Sequence, residues 1–172
     1  MLKYGDPLAG REYAKSIEDA FERYTVADGD CLIWTGSKSA GVYGTVWHDG
    51  RYHQAHRLAW ELANGPIPNG MFIDHKCHRP LCVNTAHLRP VTPGQNNQNI
   101  KGVRKDSSTG IRGVSFQYGK YKAHVRHQGV LYHLGTFDTA EAAGEAARQK
   151  RLELFTHNDM DRREDGQASP AA

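Results

Sequence analysis

Two sets of donor residues share one short stretch of the chain. Cys77, Cys82 and His87 follow the spacing Cys-x4-Cys-x4-His, and Asp74, His75 and Asn96 are interleaved with them. The first set is made of soft and borderline ligands and supplies three of the four donors of a structural Zn2+ site. Cys31 is the natural fourth donor, with His78 as its rival. The second set offers a carboxylate, an imidazole and a neutral amide oxygen. It suits a harder cation, Mg2+ or Mn2+, with a general base beside it. His75 can take a proton from water at neutral pH, while Asn96, with Asp74 as a second donor, can hold the cation and leave positions for water and phosphate. The chemistry implied is phosphodiester hydrolysis at a small site kept in shape by a neighbouring zinc.

These side chains need a scaffold, and the pattern around them supplies one. Residues 71–74 read as a strand that delivers His75, and 88–91 as the strand that returns. Thr92 is an N-cap and Pro93 a first-turn residue, opening a helix that carries Gln95, Asn96 and Asn99. The unit is strand, loop, strand, helix. Upstream, Tyr13, Ile17, Phe21 and Tyr24 recur at helical spacing and predict a helix over 8–24, ended by a turn at 27–30. A strand at 31–35 follows, then a hairpin of 41–47 and 51–55 across Asp49-Gly50, then a helix at 56–64 stopped by Gly65 and Pro66.

Downstream the composition changes. Residues 101–110 read as a small, polar linker. Strands are expected at 112–117, 120–127 and 130–135, turning at Gly119 and Gly129, before a helix over 140–155 capped by Thr139. The fold class is α+β, with a zinc-stapled unit over 1–100, a βββα unit over 111–156 and a disordered tail over 157–172.

Charge separates the two units. Net charge is +3 over 172 residues. Residues 1–99 hold 10 basic and 10 acidic side chains, whereas 100–151 hold 10 and 4. Alternation along the middle strand puts Lys120, Lys122, His124 and Arg126 on one face and Tyr121, Ala123 and Val125 on the other. A solvated face is the plain explanation, but so local an excess favours a polyanion-binding module. Three cysteines cannot close a disulfide set, and the first residues contain no signal-peptide apolar core, so a reducing compartment is expected. No apolar run approaches the ~18 residues of a membrane span.

Cys31-Leu-Ile-Trp-Thr-Gly, Gly41-Val-Tyr-Gly44, Ala55-His-Arg-Leu-Ala-Trp-Glu-Leu, Asn64-Gly-Pro-Ile-Pro-Asn-Gly and Asp74-His-x-Cys-x4-Cys-Val-Asn-x2-His-Leu, with Asn96 nine residues after His87, form a specific pattern. Over 31–99 it resembles the HNH and His-Cys-box endonucleases, the ββα-metal or His-Me finger group, many of them homing endonucleases. The resemblance implies His75 as general base, Asn96 and Asp74 as catalytic-metal ligands, and Cys31, Cys77, Cys82 and His87 on zinc. Relatives often carry Arg after the Tyr-Gly pair, where this chain has Thr45. Arg57, His56 and Lys38 are the candidates to replace it, and Arg57 is also expected to contact DNA.

Gly110-Ile-Arg-Gly-Val114, Gly119-Lys-Tyr-Lys-Ala123, Val125-Arg126 and Leu134-Gly-Thr-Phe-Asp-Thr-Ala-Glu-Ala-Ala143 resemble the plant Apetala/ethylene-response-factor domain. That resemblance implies a three-stranded sheet laid in the DNA major groove, with Arg112, Lys120 and Arg126 as contacts. Tyr118 and His133 stand where plant members often have Trp, and Ser115 and Gln117 where they have Arg, so base preference does not carry over. Together these features lead to the expectation of a site-directed endonuclease of the homing type, acting on double-stranded DNA in the cytoplasm of a bacterium or a phage-infected cell. A homodimer is compatible with it. The alternative is a non-catalytic, zinc-stapled DNA-binding regulator.

Overall fold

Trp34 explains why the N-terminal half folds as it does. The computed structural model describes residues 14, 16–39, 41–103, 105 and 107–162, and within them Trp34 is 2% exposed. Phe21 and Tyr24 pack on its ring at centroid distances of 5.4 and 5.8 Å. A Cβ at Gly44 would lie 2.4 Å from the indole, and one at Gly36 2.8 Å, so only glycine admits the ring at either position. The indole N–H donates to the Ser37 carbonyl at 3.0 Å. Ile17, Ala20, Val46, Ala55, Leu58 and Val83 complete this core.

The elements around it run in order. Helix α1 (Ile17–Arg23) starts at Ser16, whose side chain accepts from the Asp19 amide. It fills the end of the expected helix at 8–24, of which residues 8–13 and 15 lie outside the described residues. Strands β1 (Thr25–Asp28) and β2 (Cys31–Trp34) form a hairpin. β1 was not foreseen, because its mostly exposed residues show no alternation. β3 (Lys38–Ser39), β4 (Tyr43–His48) and β5 (Arg51–Gln54) form a second sheet, turning at Asp49 and Gly50, both with positive φ. Helix α2 (Ala55–Asn64) ends at Gly65, and β6 (Phe72–His75) pairs antiparallel with β7 (Leu88–Val91). Helix α3 (Pro93–Gln98) opens on the expected Thr92 cap, closed into a capping box by Gln95.

In the C-terminal half β8 (Val114–Gln117), β9 (Lys120–His127) and β10 (Val130–Phe137) form an antiparallel sheet with β9 central. β10 runs two residues beyond the expectation by taking up a bulge between His133 and Gly135. Helix α4 (Ala140–Leu154), capped by Thr139, lays the fully buried Ala143 and Ala147 on Val114, Ala123 and Val125. The small side chains let the helix come close to the sheet.

The first residues of the expected disordered tail are ordered. Helix α5 (Asp159–Arg162) folds back on α4, where Asp161 pairs with the buried Arg151 at 2.6 and 2.9 Å. The acidic composition that suggested disorder supplies partners for arginines elsewhere in the chain. Residues 163–172 lie outside the described residues. The architecture is α+β as expected, built of small antiparallel sheets and helices.

The two halves meet at α3. Arg112 donates to the carbonyls of Asn97, Gln98 and Ile100 at 3.2–3.4 Å and lies 5.7 Å from the centre of the Phe155 ring. Arg112 is thereby turned away from the expected DNA face. Its guanidinium satisfies the open C-terminal carbonyls of a helix in the other half.

Candidate active site

Loop 76–87, between β6 and β7, is fastened to β2. The Trp34 amide donates to the Leu81 carbonyl and the Val83 amide to the Leu32 carbonyl, both at 2.8 Å, and Ile33 bridges to Cys82. Arg79 pairs with Asp28. Cys31, at the head of β2, is thus carried beside the loop. The ligand atoms of Cys31, Cys77, Cys82 and His87 lie within 4.8 Å of one another. Nδ1 of His87 is 3.5 Å from Cys31 Sγ and 3.6 Å from Cys82 Sγ. A tetrahedral zinc with ordinary Zn–S and Zn–N bonds would set that separation at about 3.6 Å. The donor chemistry and the spacing both fit Zn2+. The Cys77 hydrogen bond, ahead of backbone groups and His87, pulls the Cys82 thiol down to about 4, while that same bond and burial push the Cys77 thiol up and burial pushes Cys31 up, so Cys82 is the thiolate of the set. His78, the rival fourth donor, lines a neighbouring cavity instead.

That cavity, of about 490 Å³ and open on one side, is walled by β6, α2, α3 and the zinc loop. Asp74, His75 and Asn96 all line it, as do Tyr43, His56, Arg57 and Lys101. His75 sits at the end of β6, opposite Leu88, and is 8% exposed. Its Nε2 lies 3.1 Å from the Cys82 carbonyl oxygen. A carbonyl only accepts, so Nε2 carries the proton and Nδ1 is left as the basic nitrogen. A residue of the zinc loop thereby selects the tautomer of the candidate base. Burial pushes the His75 pKa down against the opposing pull of Cys82 and Asp74, which keeps the ring neutral.

Asp74 is more tightly held than the sequence suggested. Its Oδ2 accepts from Arg89 Nε and Nη2, at 3.1 and 2.9 Å, and from Asn99 Nδ2 at 2.9 Å. Arg89 is its cross-strand partner in β7. Three donors on one oxygen direct the other, Oδ1, to the remaining interactions. Asn96, on the exposed side of α3, supplies the amide to the cavity, and buried Asn99 supplies the brace. An open cavity with one carboxylate and one amide oxygen suits a cation that keeps most of its water.

Among the candidates to replace the arginine absent at Thr45, Arg57 and His56 reach this cavity, and Lys38, on β3, does not line it. His56 is 4% exposed with its ring 4.7 Å from that of His75, and burial, then His75 and Arg57, push it down to about 3. It serves as a neutral wall. Lys101 is a cation that sequence reasoning missed. It was placed in the linker, and no local pattern signals that the chain passes the cavity there. Arg89 was missed too, although strand pairing with Asp74 was its one available signal.

On the second half, Ala123 and Val125 are buried as alternation required. Lys120, Lys122, His124 and Arg126 occupy the opposite face of β9. Lys120 pairs with the exposed Asp138, and Lys122 lies 5.8 Å from the centre of the 98%-exposed Tyr118 ring.

Residues 53–98 match the family model described as HNH endonuclease, a span that contains β6, the zinc loop, β7 and α3. Protein 3.8 of Escherichia phage T7 is 32% identical over 98 residues, covering 56% of this chain and 80% of that protein. Protein 7.7 of the same phage is 37% identical over 71 residues, 41% of this chain and 55% of that protein. An uncharacterized HNH endonuclease of Acanthamoeba polyphaga mimivirus is 32% identical over 104 residues, 59% of this chain and 53% of its own length. The chain carries an HNH endonuclease domain at residues 53–98. It spans little more than half the length of Protein 7.7 and of the mimivirus relative. No solved structure matches the chain. Among the described residues no helix is long and apolar enough to cross a membrane.

Proposed function

We propose that the chain is a metal-dependent endonuclease of the homing type that hydrolyses phosphodiester bonds of double-stranded DNA. The observation that carries this reading is the shared cavity, where Asp74, His75 and Asn96 meet beside a closed zinc donor set. Nδ1 of His75 takes a proton from water as the water oxygen attacks phosphorus, and the bond to the leaving oxygen breaks. Arg57 and Lys101 draw the phosphate in and oppose its charge as the leaving oxygen departs. Asp74 and Asn96 would hold Mg2+ or Mn2+, which supplies charge stabilisation at the scissile phosphate. Cys31, Cys77, Cys82 and His87 would hold Zn2+, whose part is to fix the loop that carries the Cys82 carbonyl.

The C-terminal sheet is the site-holding module, in the manner of the Apetala/ethylene-response-factor domain. Lys120, Lys122, His124 and Arg126 face the duplex. The Lys120–Asp138 pair is exposed and screened by solvent, so phosphate can displace it.

Nicking of supercoiled plasmid by the zinc-loaded chain tests this function. Cutting should require Mg2+ or Mn2+ and stop on its removal, with DNA still bound. Binding without cutting at any metal concentration would overturn it in favour of a non-catalytic regulator.

A further inference from the structure

Asp74 belongs to a closed ring of hydrogen bonds that leaves the HNH domain and comes back. Arg89 holds Asp74 and also donates Nη1 to Asp159 Oδ1 at 3.3 Å, with Nη2 on the second carboxylate oxygen. The Asp159 amide donates to Asn99 Oδ1 at 3.1 Å, and Asn99 Nδ2 returns to Asp74 at 2.9 Å. The ring therefore runs Asp74, Arg89, Asp159, Asn99, Asp74. It joins β6, β7, the end of α3 and the start of α5.

Asp159 is fixed to the C-terminal half. Asn158, fully buried, donates to Asp161 at 2.5 Å, and Asp161 is gripped by Arg151 of α4. Arg151 donates in turn to the Arg112 carbonyl at 2.9 Å, and Arg162 to the Phe155 carbonyl at 2.6 Å. The Thr156 and His157 amides both donate to Gln98 Oε1, at 3.0 and 3.1 Å, on the same helix as Asn96. The segment after α4 is thus seated on α4 through Asp161 and on α3 and Arg89 through residues 156–159.

We propose that Asp159 is a positioning residue for the cation site. By holding Arg89 and Asn99 it orients Asp74, and it makes that orientation depend on the seating of the C-terminal half. Arg89 alone could swing toward solvent, taking Asp74 with it. With Asp159 in place the guanidinium is shared between two carboxylates, Oδ2 of Asp74 is occupied, and Oδ1 is held in one direction. Cutting thereby becomes sensitive to whether the DNA-holding half is docked. This rests on the proposed role of Asp74 in the cavity.

The test uses the full, zinc-loaded chain. Binding of Mn2+ is followed by paramagnetic resonance of the free ion, and plasmid nicking is measured against Mn2+ concentration. Asp159→Ala should weaken Mn2+ binding about tenfold and slow cutting by about 10–100-fold at low metal, since supporting residues of metal sites have effects of that size. High Mn2+ should restore the rate. Zinc content and DNA affinity should not change, which a purely structural role for Asp159 would not predict. Asp159→Asn keeps an oxygen for Arg89 and should fall between; it also serves if the alanine variant melts early. Wild-type Mn2+ affinity in both variants overturns the proposal. Weakened Mn2+ binding in a protein that never cuts leaves the proposal standing and removes the nuclease function. A wild type that binds no Mn2+ removes both.

Discussion

The two donor sets, which apart from Cys31 share residues 74–96, differ in closure. Cys31, Cys77, Cys82 and His87 converge within 4.8 Å, and four such donors fill a tetrahedral zinc with no position left for a substrate. Asp74, His75 and Asn96 border a cavity of about 490 Å³ with room for a reactant. A closed set of four soft donors stabilises a fold. An open set, braced from behind and wet in front, leaves room for a reactant. The first is also a support for the second, because the Cys82 carbonyl is what fixes the His75 tautomer.

Breaking the closed set should have the largest effect. Zinc binding in small metal-stapled units is worth about 10–16 kcal/mol, more than a small fold's whole stability. Cys77→Ser or Cys82→Ser should unfold the N-terminal half, and metal analysis of the wild type should find about one zinc per chain. A chelated protein that keeps its near-ultraviolet circular dichroism, dominated by Trp34 and its neighbours, would show that the cluster is not a staple.

Breaking the open set should be nearly silent in the fold and severe in turnover. His75→Ala should slow nicking by ~10²–10⁴-fold while zinc content and DNA binding persist. Asn96→Ala should also fail, with partial recovery at high Mn2+, because its task is ligation. A folded His75→Ala chain that cuts at the wild-type rate would mean that another group is the base.

The brace can be probed through Asp161. Burial would raise its carboxyl pKa, but Arg151 and Asn158 overcome this and hold it below the usual carboxylate range. A carboxyl depressed in the fold stabilises above its unfolded pKa of about 3.9 and loses that contribution as pH falls through the lower folded value. Denaturant melts should therefore show the C-terminal half weakening only below about pH 4. At neutral pH, Asp161→Asn should cost about 3 kcal/mol, the scale for stripping one partner from a buried pair. A melt unchanged at pH 7 would mean the clasp contributes nothing.

The smallest effects belong to the exposed sheet. Lys122→Ala and Arg126→Ala should each reduce the slope of log affinity against log salt by about 1, with folding unaffected. Arg112→Ala should behave differently, loosening the contact with α3 rather than lowering the salt slope. Titrations at several salt concentrations would show whether the two kinds of arginine separate.

Several features of this protein follow from local chemistry and are legible in its sequence. Thr92 and Thr139 announce helix starts because their side chains satisfy nearby amides, whatever the rest of the chain does. The face of β9 is readable because side chains alternate at a period of two. The metal donors are readable because few other uses exist for cysteines among histidines. What only the tertiary structure decided concerns long, charged side chains and distant partners. Nothing local distinguishes Arg112, which caps the carbonyls of α3, from Arg126, which faces outward. The acids after residue 157 look like a solvated tail until Arg89 and Arg151 come within reach of them. Lys101 reaches the cavity only because β6, α2 and α3 have already been assembled around it. A charge is stabilised by whatever stands a few ångströms away in space, and along the chain those neighbours can be 70 residues apart, as they are for Arg89 and Asp159.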